Sequence, residues 1–272
     1  VLTGSIEDGA LAVDEFRFKA SQGGILGGSL SLRPDVNGAV LRTRIDASNL
    51  SLGLSAATAQ ELKTLPRYQF AVALVSPGKT VRDMAGSANG YLRLVAGKGR
   101  VKATALRFLT NDFLDQLLTT VNPFAVKDPY TYLHCGVVLA AVEAGQLEGK
   151  PILMMKTDRL NIFADAEIDL RTEKLKATFN TVPQKGLGFS LSNLVNPYVA
   201  VVGTLGNPQI TLDPAATVIE GGTAVATMGL SILWKGFKDR YLSSTTPCKD
   251  ALKKADQDLE RLEAKYANPT SN

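Results

Sequence analysis

The chain of 272 residues carries 30 Lys and Arg against 26 Asp and Glu, a net charge of +4, and 45% of its residues are apolar. This composition excludes wholesale disorder, and the 24 Gly and 12 Pro indicate many turns between short elements, as in a mostly β protein. Charges of both signs are interspersed, and no basic stripe alternates with aromatic residues. Nucleic acid is therefore not expected as a partner.

The beginning of the chain lacks an initiator Met and a secretory signal, and strand-like alternation begins at Val1. The chain also contains no uncharged apolar run of about 20 residues, the length that a membrane helix needs. We expect a piece of a longer protein, with its targeting or membrane segment upstream.

The N-terminal third predicts a β-meander. Residues 10–20 and 29–33 read as strands on either side of a Gly-rich loop at 22–28, and residues 39–54 continue the alternation. The loop does not match a phosphate-binding loop, because no GK[ST] follows it.

Two helical insertions interrupt the predicted strands. Ser55 is placed to cap a short helix over residues 56–65, and Pro66 marks its end. Residues 109–121 have apolar residues four apart, which predicts an amphipathic helix.

The middle and end of the β region predict further strands, with a loop at 183–196 and a turn at Gly206-Asn207-Pro208. These strands cover residues 68–76, 90–96, 99–106, 132–142, 151–157, 198–205 and 209–212.

The clearest periodicity lies in residues 160–179, LNIFADAEIDLRTEKLKATF. From 160 to 170 the even positions are Leu, Ile or Ala and most odd positions are polar, which predicts a strand with one dry and one wet face. After the polar turn 171–174 the alternation resumes, so the two runs predict an antiparallel hairpin. We expect the protein to act through one face of this sheet.

After residue 213 the pattern becomes helical. An apolar run at 223–234 is too short to span a bilayer and predicts a core or interfacial helix. Thr246-Pro247-Cys248 interrupts it, and residues 249–266 predict a charged helix. We therefore expect a β-rich domain over 1–213, with insertions near 56–65 and 109–121, and a helical segment over 214–272 packed on it.

Catalytic chemistry has little support in the sequence. The one His, His134, directly precedes Cys135, and adjacent residues of a strand point to opposite faces. Asp165, Glu167 and Asp169 share a strand face, but Lys174 and Lys176 lie across the turn, which favours a solvated surface. No catalytic residue, metal site or cofactor is predicted.

Cysteine usage leaves two alternatives open. Cys135 and Cys248 are either two buried thiols or one bridge that closes a loop of more than a hundred residues. A bridge requires an oxidising compartment.

The predicted fold class is mainly β with flanking helices (α+β), an antiparallel meander curled into a groove or a partly open barrel with helices at its C-terminal end. Many strands share one apolar face, and few helices are available to cover it. Such a face either packs on a second sheet or forms a groove for an apolar ligand.

Several segments, in order and spacing, resemble the C-terminal region of the AsmA-like family of Gram-negative envelope proteins, which is related to bridge-like lipid-transfer proteins. They are residues 86–101 (GSANGYLRLVAGKGRV), 133–145 (LHCGVVLAAVEAG), 158–179 (DRLNIFADAEIDLRTEKLKATF), 201–208 (VVGTLGNP) and Thr246-Pro247-Cys248.

This resemblance implies a periplasmic, non-enzymatic domain of a longer protein anchored in the inner membrane by an N-terminal helix absent here. It implies a role in moving phospholipid to the outer membrane, with acyl chains as ligands, and it favours a bridge between Cys135 and Cys248. The residues expected to line the groove are Leu160, Ile162, Ala164, Ile168, Leu170, Leu175 and Phe179.

The competing hypothesis is a protein-interaction module of envelope assembly. In that case the sheet closes into a sandwich, and the C-terminal helices or a free strand edge bind an inner- or outer-membrane protein.

Overall fold

The computed structural model describes residues 1–20, 23–51, 58–102, 120, 130–183, 199–211, 241, 244 and 246–266. Its strands are β1 (Leu2–Glu7), β2 (Ala10–Lys19), β3 (Ile25–Asp35), β4 (Gly38–Ser51), β5 (Arg67–Gly78), β6 (Asn89–Ala96), β7 (Gly99–Lys102), β8 (Tyr130–Glu143), β9 (Gln146–Thr157), β10 (Leu160–Asp169), β11 (Lys174–Pro183), β12 (Val199–Thr204) and β13 (Asn207–Thr211). Its helices are α1 (Ala59–Thr64), α2 (Val81–Gly86) and α3 (Pro247–Tyr266).

All of these strands belong to one antiparallel sheet. Neighbours in the chain are neighbours in the sheet from β1 to β6 and from β8 to β13, with β8 beside β6 and the short β7 also paired to β8. Many connections of this meander are short turns, such as those between β1 and β2 and between β8 and β9, because antiparallel partners need only a few residues between them. The connection from β4 to β5 is longer and contains α1. The prediction of a mainly antiparallel β fold is confirmed.

Several predicted boundaries are wrong. The glycine loop is shorter than expected, since Ile25 already begins β3 and Gly27 and Gly28 lie inside that strand. The last turn is Leu205-Gly206, and Asn207 and Pro208 belong to β13.

The short helices also differ from the sequence prediction. α1 begins at Ala59, because the Thr58 hydroxyl accepts a hydrogen bond from the Glu61 amide and the Thr58 amide donates one to the Glu61 carboxylate. α2 was not predicted, although Thr80 and Asp83 form the same reciprocal cap. The helix predicted over 109–121, the loop over 183–196 and the apolar run at 223–234 lie outside the described residues, save for residues 120 and 183.

Turns at one end of the sheet are hydrogen-bonded to each other. The Gly145 amide donates to the Ala88 carbonyl at 2.9 Å, and the Leu170 amide donates to the Gly145 carbonyl at 2.9 Å. Gly145 has φ +77°, and a Cβ there would lie 2.6 Å from the Gly86 Cα, so only glycine fits. Leu170 was predicted on the strand, but it lies in the turn that this ladder holds.

The C-terminal helix α3 packs on β6 and β8. It begins at Pro247, where the sequence predicted only an interruption, and Pro suits the first helical position because it lacks an N–H there. Cys248 in its first turn forms a disulfide with Cys135 of β8, with 5.8 Å between the Cα atoms. Ala251 and Ala255 are buried against the sheet.

Polar contacts continue along α3. Asp256 pairs with the Arg93 guanidinium of β6, and Lys265 pairs with Glu143 at the end of β8. The Tyr91 hydroxyl donates to a Glu263 carboxylate oxygen at 2.9 Å. These contacts fix the helix to the sheet along its whole length.

The prediction that the odd-numbered positions of β10 face solvent is wrong at the start of the strand. Asn161 and Phe163 fall on its predicted wet face, yet they are 6% and 0% exposed. Phe163 packs edge-on against Tyr241, with ring centroids 5.2 Å apart, in a cluster with Ala251 and Ala255 of α3. The expected solvent-facing exterior is therefore, at this end of β10, a second core.

Buried tyrosines near α3 make the free energy of unfolding sensitive to alkaline pH. Burial, followed by the hydrogen bond to Glu263, raises the pKa of Tyr91 to about 12, and burial likewise raises the pKa of Tyr241 to about 12. The native state then keeps protons that the unfolded chain releases near pH ~10, its ordinary tyrosine pKa. We expect the free energy of unfolding to fall as the pH rises from about 10 to about 12.

Urea titrations across this pH window measure the effect. In Tyr91→Phe the fall should be shallower, because one of the phenols with a raised pKa is gone. An identical fall in both proteins would contradict the assignment.

Candidate functional site

The strand register aligns apolar side chains across the sheet. Partners directly opposite each other in adjacent strands share a face, so pairs can be followed from strand to strand. One such row crosses ten strands and runs Phe18, Leu26, Ala47, Phe70, Leu94, Val138, Leu153, Ala164, Phe179, Val199.

Two further rows flank the first on the same face. One consists of Phe16, Gly28, Ile45, Val72, Leu92 and Ala140. The other consists of Leu50, Tyr68, Ala96, Gly136, Met155, Ile162 and Thr181. We call these three rows the apolar face, and none of their residues is charged.

Exposure of the apolar face decreases along the sheet. At the β2 end Phe18 is 53% exposed, whereas Phe70 and Leu94 in the middle are half-buried. At the far end Ile162 and Val199 are 1% exposed and belong to a cluster formed by β10, β11 and β12. The face is thus open at one end and packed at the other.

The opposite face differs in chemistry and in cover. On β4 its residues are Arg42, Arg44 and Asp46, which are exposed as the alternation predicted. On β6 and β8 it lies beneath α3. We call it the charged face.

The predicted lining residues share one face, apart from Leu170 in the turn. Register pairs Ala164 with Phe179 and Ile168 with Leu175, and Leu160 lies two residues before Ile162. Leu160, Ile162 and Ala164 are at most 3% exposed, whereas Ile168, Leu175 and Phe179 are half-buried. The first three therefore form core, and the second three remain partly accessible.

Sequence reasoning missed the larger part of the apolar face, on β2 to β6. On β4 the signal was present, since residues 41–47 alternate as residues 160–168 do, whereas residues 70–74 (FAVAL) are apolar at every position and do not distinguish the two faces. Alternation in a single strand gives no register, however, so only the pairing of strands shows that these runs join.

The other sequence candidates are separate from the apolar face. His134 is exposed and packs edge-on against Tyr132, whereas Cys135 is buried and belongs to the disulfide. Asp169 accepts hydrogen bonds from the amides of Arg171 and Thr172, and the bond from Thr172 is the main cause that lowers its pKa. Within the described residues, no group of three or more metal-ligating side chains occurs.

Comparison with protein-family models, curated proteins and solved structures finds no match to this chain. Among the helices described here, none is long and apolar enough to cross a membrane.

Proposed function

We propose that this chain is a lipid-handling domain of an AsmA-like protein in the periplasm, which supports phospholipid transport between the inner and outer membranes. The observation that carries the proposal is the uncharged apolar row across ten strands. Nine steps of about 4.8 Å give it a length of about 43 Å. That length exceeds the hydrocarbon core of a bilayer, about 30 Å.

The mechanism requires no covalent chemistry. Each CH₂ removed from water is worth about 0.8 kcal/mol, so an acyl chain gains free energy along the accessible part of the apolar face. Because no charge interrupts the face, a chain can slide along it without a high barrier. The exposed end near Phe18 is the natural entry, and the packed end near Ile162 limits how far a chain travels.

The disulfide supports the proposed compartment. A bridge between Cys135 and Cys248 forms and persists in an oxidising space such as the bacterial periplasm. We infer that this domain is one part of a longer protein anchored in the inner membrane.

A matched pair of substitutions on β5 tests the proposal. Val72 and Ala71 are neighbours on β5 and both half-buried, but Val72 lies on the apolar face and Ala71 on the charged face. We expect Val72→Asp to lose most of its co-purifying phospholipid, because a carboxylate on the path of an acyl chain must be desolvated. Ala71→Asp, on the opposite face of the same strand, should keep the phospholipid content of the unchanged protein.

Phospholipid is quantified by mass spectrometry after organic extraction, and circular dichroism checks that both variants are folded. If Val72→Asp unfolds, Phe18→Asp at the exposed end replaces it. Equal phospholipid in the two folded variants, or none in the unchanged protein, would overturn the proposal.

A protein-interaction module is the second candidate, favoured by the edge strand β1. Leu2 and Ile6 of β1 are 68% and 79% exposed, and an edge strand offers backbone groups to a partner. Absence of lipid in native mass spectra, together with a complex lost in Ile6→Asp, would favour this function.

A further inference from the structure

A depression of about 540 Å³ lies on the charged face, where β2 to β6 meet the end of α3. Arg33, Arg42 and Arg44 line it together with Ser29 and Ser31 of β3. Its volume is within the range of small-molecule sites, about 300–1,000 Å³. The small side chains beside the arginines leave this space open, since Ser29 faces Arg44 and Ser31 faces Arg42 across the strands.

The arginines are held close together by the strands. Arg42 and Arg44 are two residues apart on one face of β4, and Arg33 is diagonal to Arg42 across the β3–β4 pair. Side chains at such positions are about 7–8 Å apart or less at their base. Their positive charges repel each other, and a bound anion would reduce that repulsion.

Few carboxylates compensate the arginines. Glu263 of α3 approaches Arg44 at 3.8 Å, but the same carboxylate accepts the Tyr91 hydroxyl hydrogen bond. In the described part of the chain, neither Arg33 nor Arg42 forms an ion pair. Asp14 is the one carboxylate among the lining residues of the depression.

We propose that this depression binds a phosphate group. Guanidinium groups match the geometry of phosphate oxygens and bind them in a bidentate manner, and serine hydroxyls donate to the remaining oxygens. A lipid headgroup and a soluble phosphate share this chemistry. The site lies on the face opposite the apolar rows, so it is independent of the proposed acyl-chain path.

The first test titrates the folded chain with inorganic phosphate at about 0.15 M salt, where long-range attraction is screened. NMR amide shifts of β3 and β4 report binding. We expect Arg42→Gln to raise the Kd about tenfold or more. Arg100→Gln is the matched control, since this exposed arginine stacks on Tyr130 outside the depression, and it should leave the Kd unchanged.

A second variant should change the Kd in the opposite direction. Asp14→Asn removes the carboxylate from the depression, and we expect it to lower the Kd several-fold. A general attraction to a basic protein would make Arg42→Gln and Arg100→Gln equal, and that result would overturn the proposal.

The source of the phosphate is distinguished by co-sedimentation with vesicles of phosphatidylcholine containing phosphatidic acid. Arg42-dependent binding to inorganic phosphate supports a soluble ligand, and Arg42-dependent binding to vesicles alone supports a lipid headgroup. Absence of binding to both inorganic phosphate and vesicles would overturn the proposal. Val72→Asp should leave the Kd for inorganic phosphate unchanged, because Val72 lies on the apolar face.

Discussion

Replacing both cysteines, Cys135→Ser with Cys248→Ser, should reduce the free energy of unfolding by about 4–5 kcal/mol. The two residues are 113 apart in the chain, and a cross-link over such a loop removes that much conformational freedom from the unfolded state. Whole domains are stable by only about 5–15 kcal/mol, so the loss is a large fraction. A domain of this size should melt about 10–15 °C lower.

The bridge also joins α3 to a central strand. We therefore expect hydrogen exchange in α3 to be faster in the double variant, although the Arg93–Asp256 and Tyr91–Glu263 contacts still hold the helix. The unchanged protein in a reductant serves as a chemical control and should match the variant in urea midpoint. Equal midpoints for the oxidised protein and the double variant would contradict this prediction.

The second large effect is expected at Phe163, where Phe163→Ala should cost about 3–5 kcal/mol. Phe163 is completely buried between the sheet and Tyr241, and truncation of its ring leaves a cavity beneath α3. Loss of the edge-on ring pair adds to the cost. Urea unfolding followed by circular dichroism measures the change.

Phe18→Ala is the matched control for this prediction. Phe18 is the same residue type in the same sheet, but it is 53% exposed, so truncation removes little buried area and leaves no cavity. We expect a cost below about 1 kcal/mol. Similar costs for the two substitutions would show that Phe163 lies on a solvated face, as its sequence pattern suggested.

The two proposed sites lie on opposite faces of the sheet. Uncharged rows on one face provide the proposed path for acyl chains, whereas the other face carries α3 at one end and the arginine depression at the other. Each proposed site can therefore be disabled without change to the other, and Val72→Asp and Arg42→Gln are chosen for this separation.

Local periodicity predicted most of the strands because alternation is a property of consecutive residues. The β10–β11 hairpin was predicted, and the apolar residues of its two strands lie on one face as expected. Residues 41–46 likewise alternate between the two faces in the structure as they do in the sequence. Predicted element boundaries were wrong where hydrogen bonds at the ends of an element decide them. The cap of α1 was predicted at Ser55, but Thr58 is the cap and the helix begins at Ala59. The prediction that Leu170 belongs to the strand was wrong for a similar reason, because its amide donates to the Gly145 carbonyl and it lies in the turn after β10.

The sequence by itself determined which residues alternate and therefore that the chain folds into an antiparallel sheet with one uncharged face. Only the tertiary structure decided what covers each face. Phe163 is buried because α3 lies against it, although Cys248 at the start of α3 is 85 residues further along the chain, and no local pattern records such a contact. The tertiary structure also decided the length of the apolar face, because that length depends on the register of ten strands rather than on any one strand.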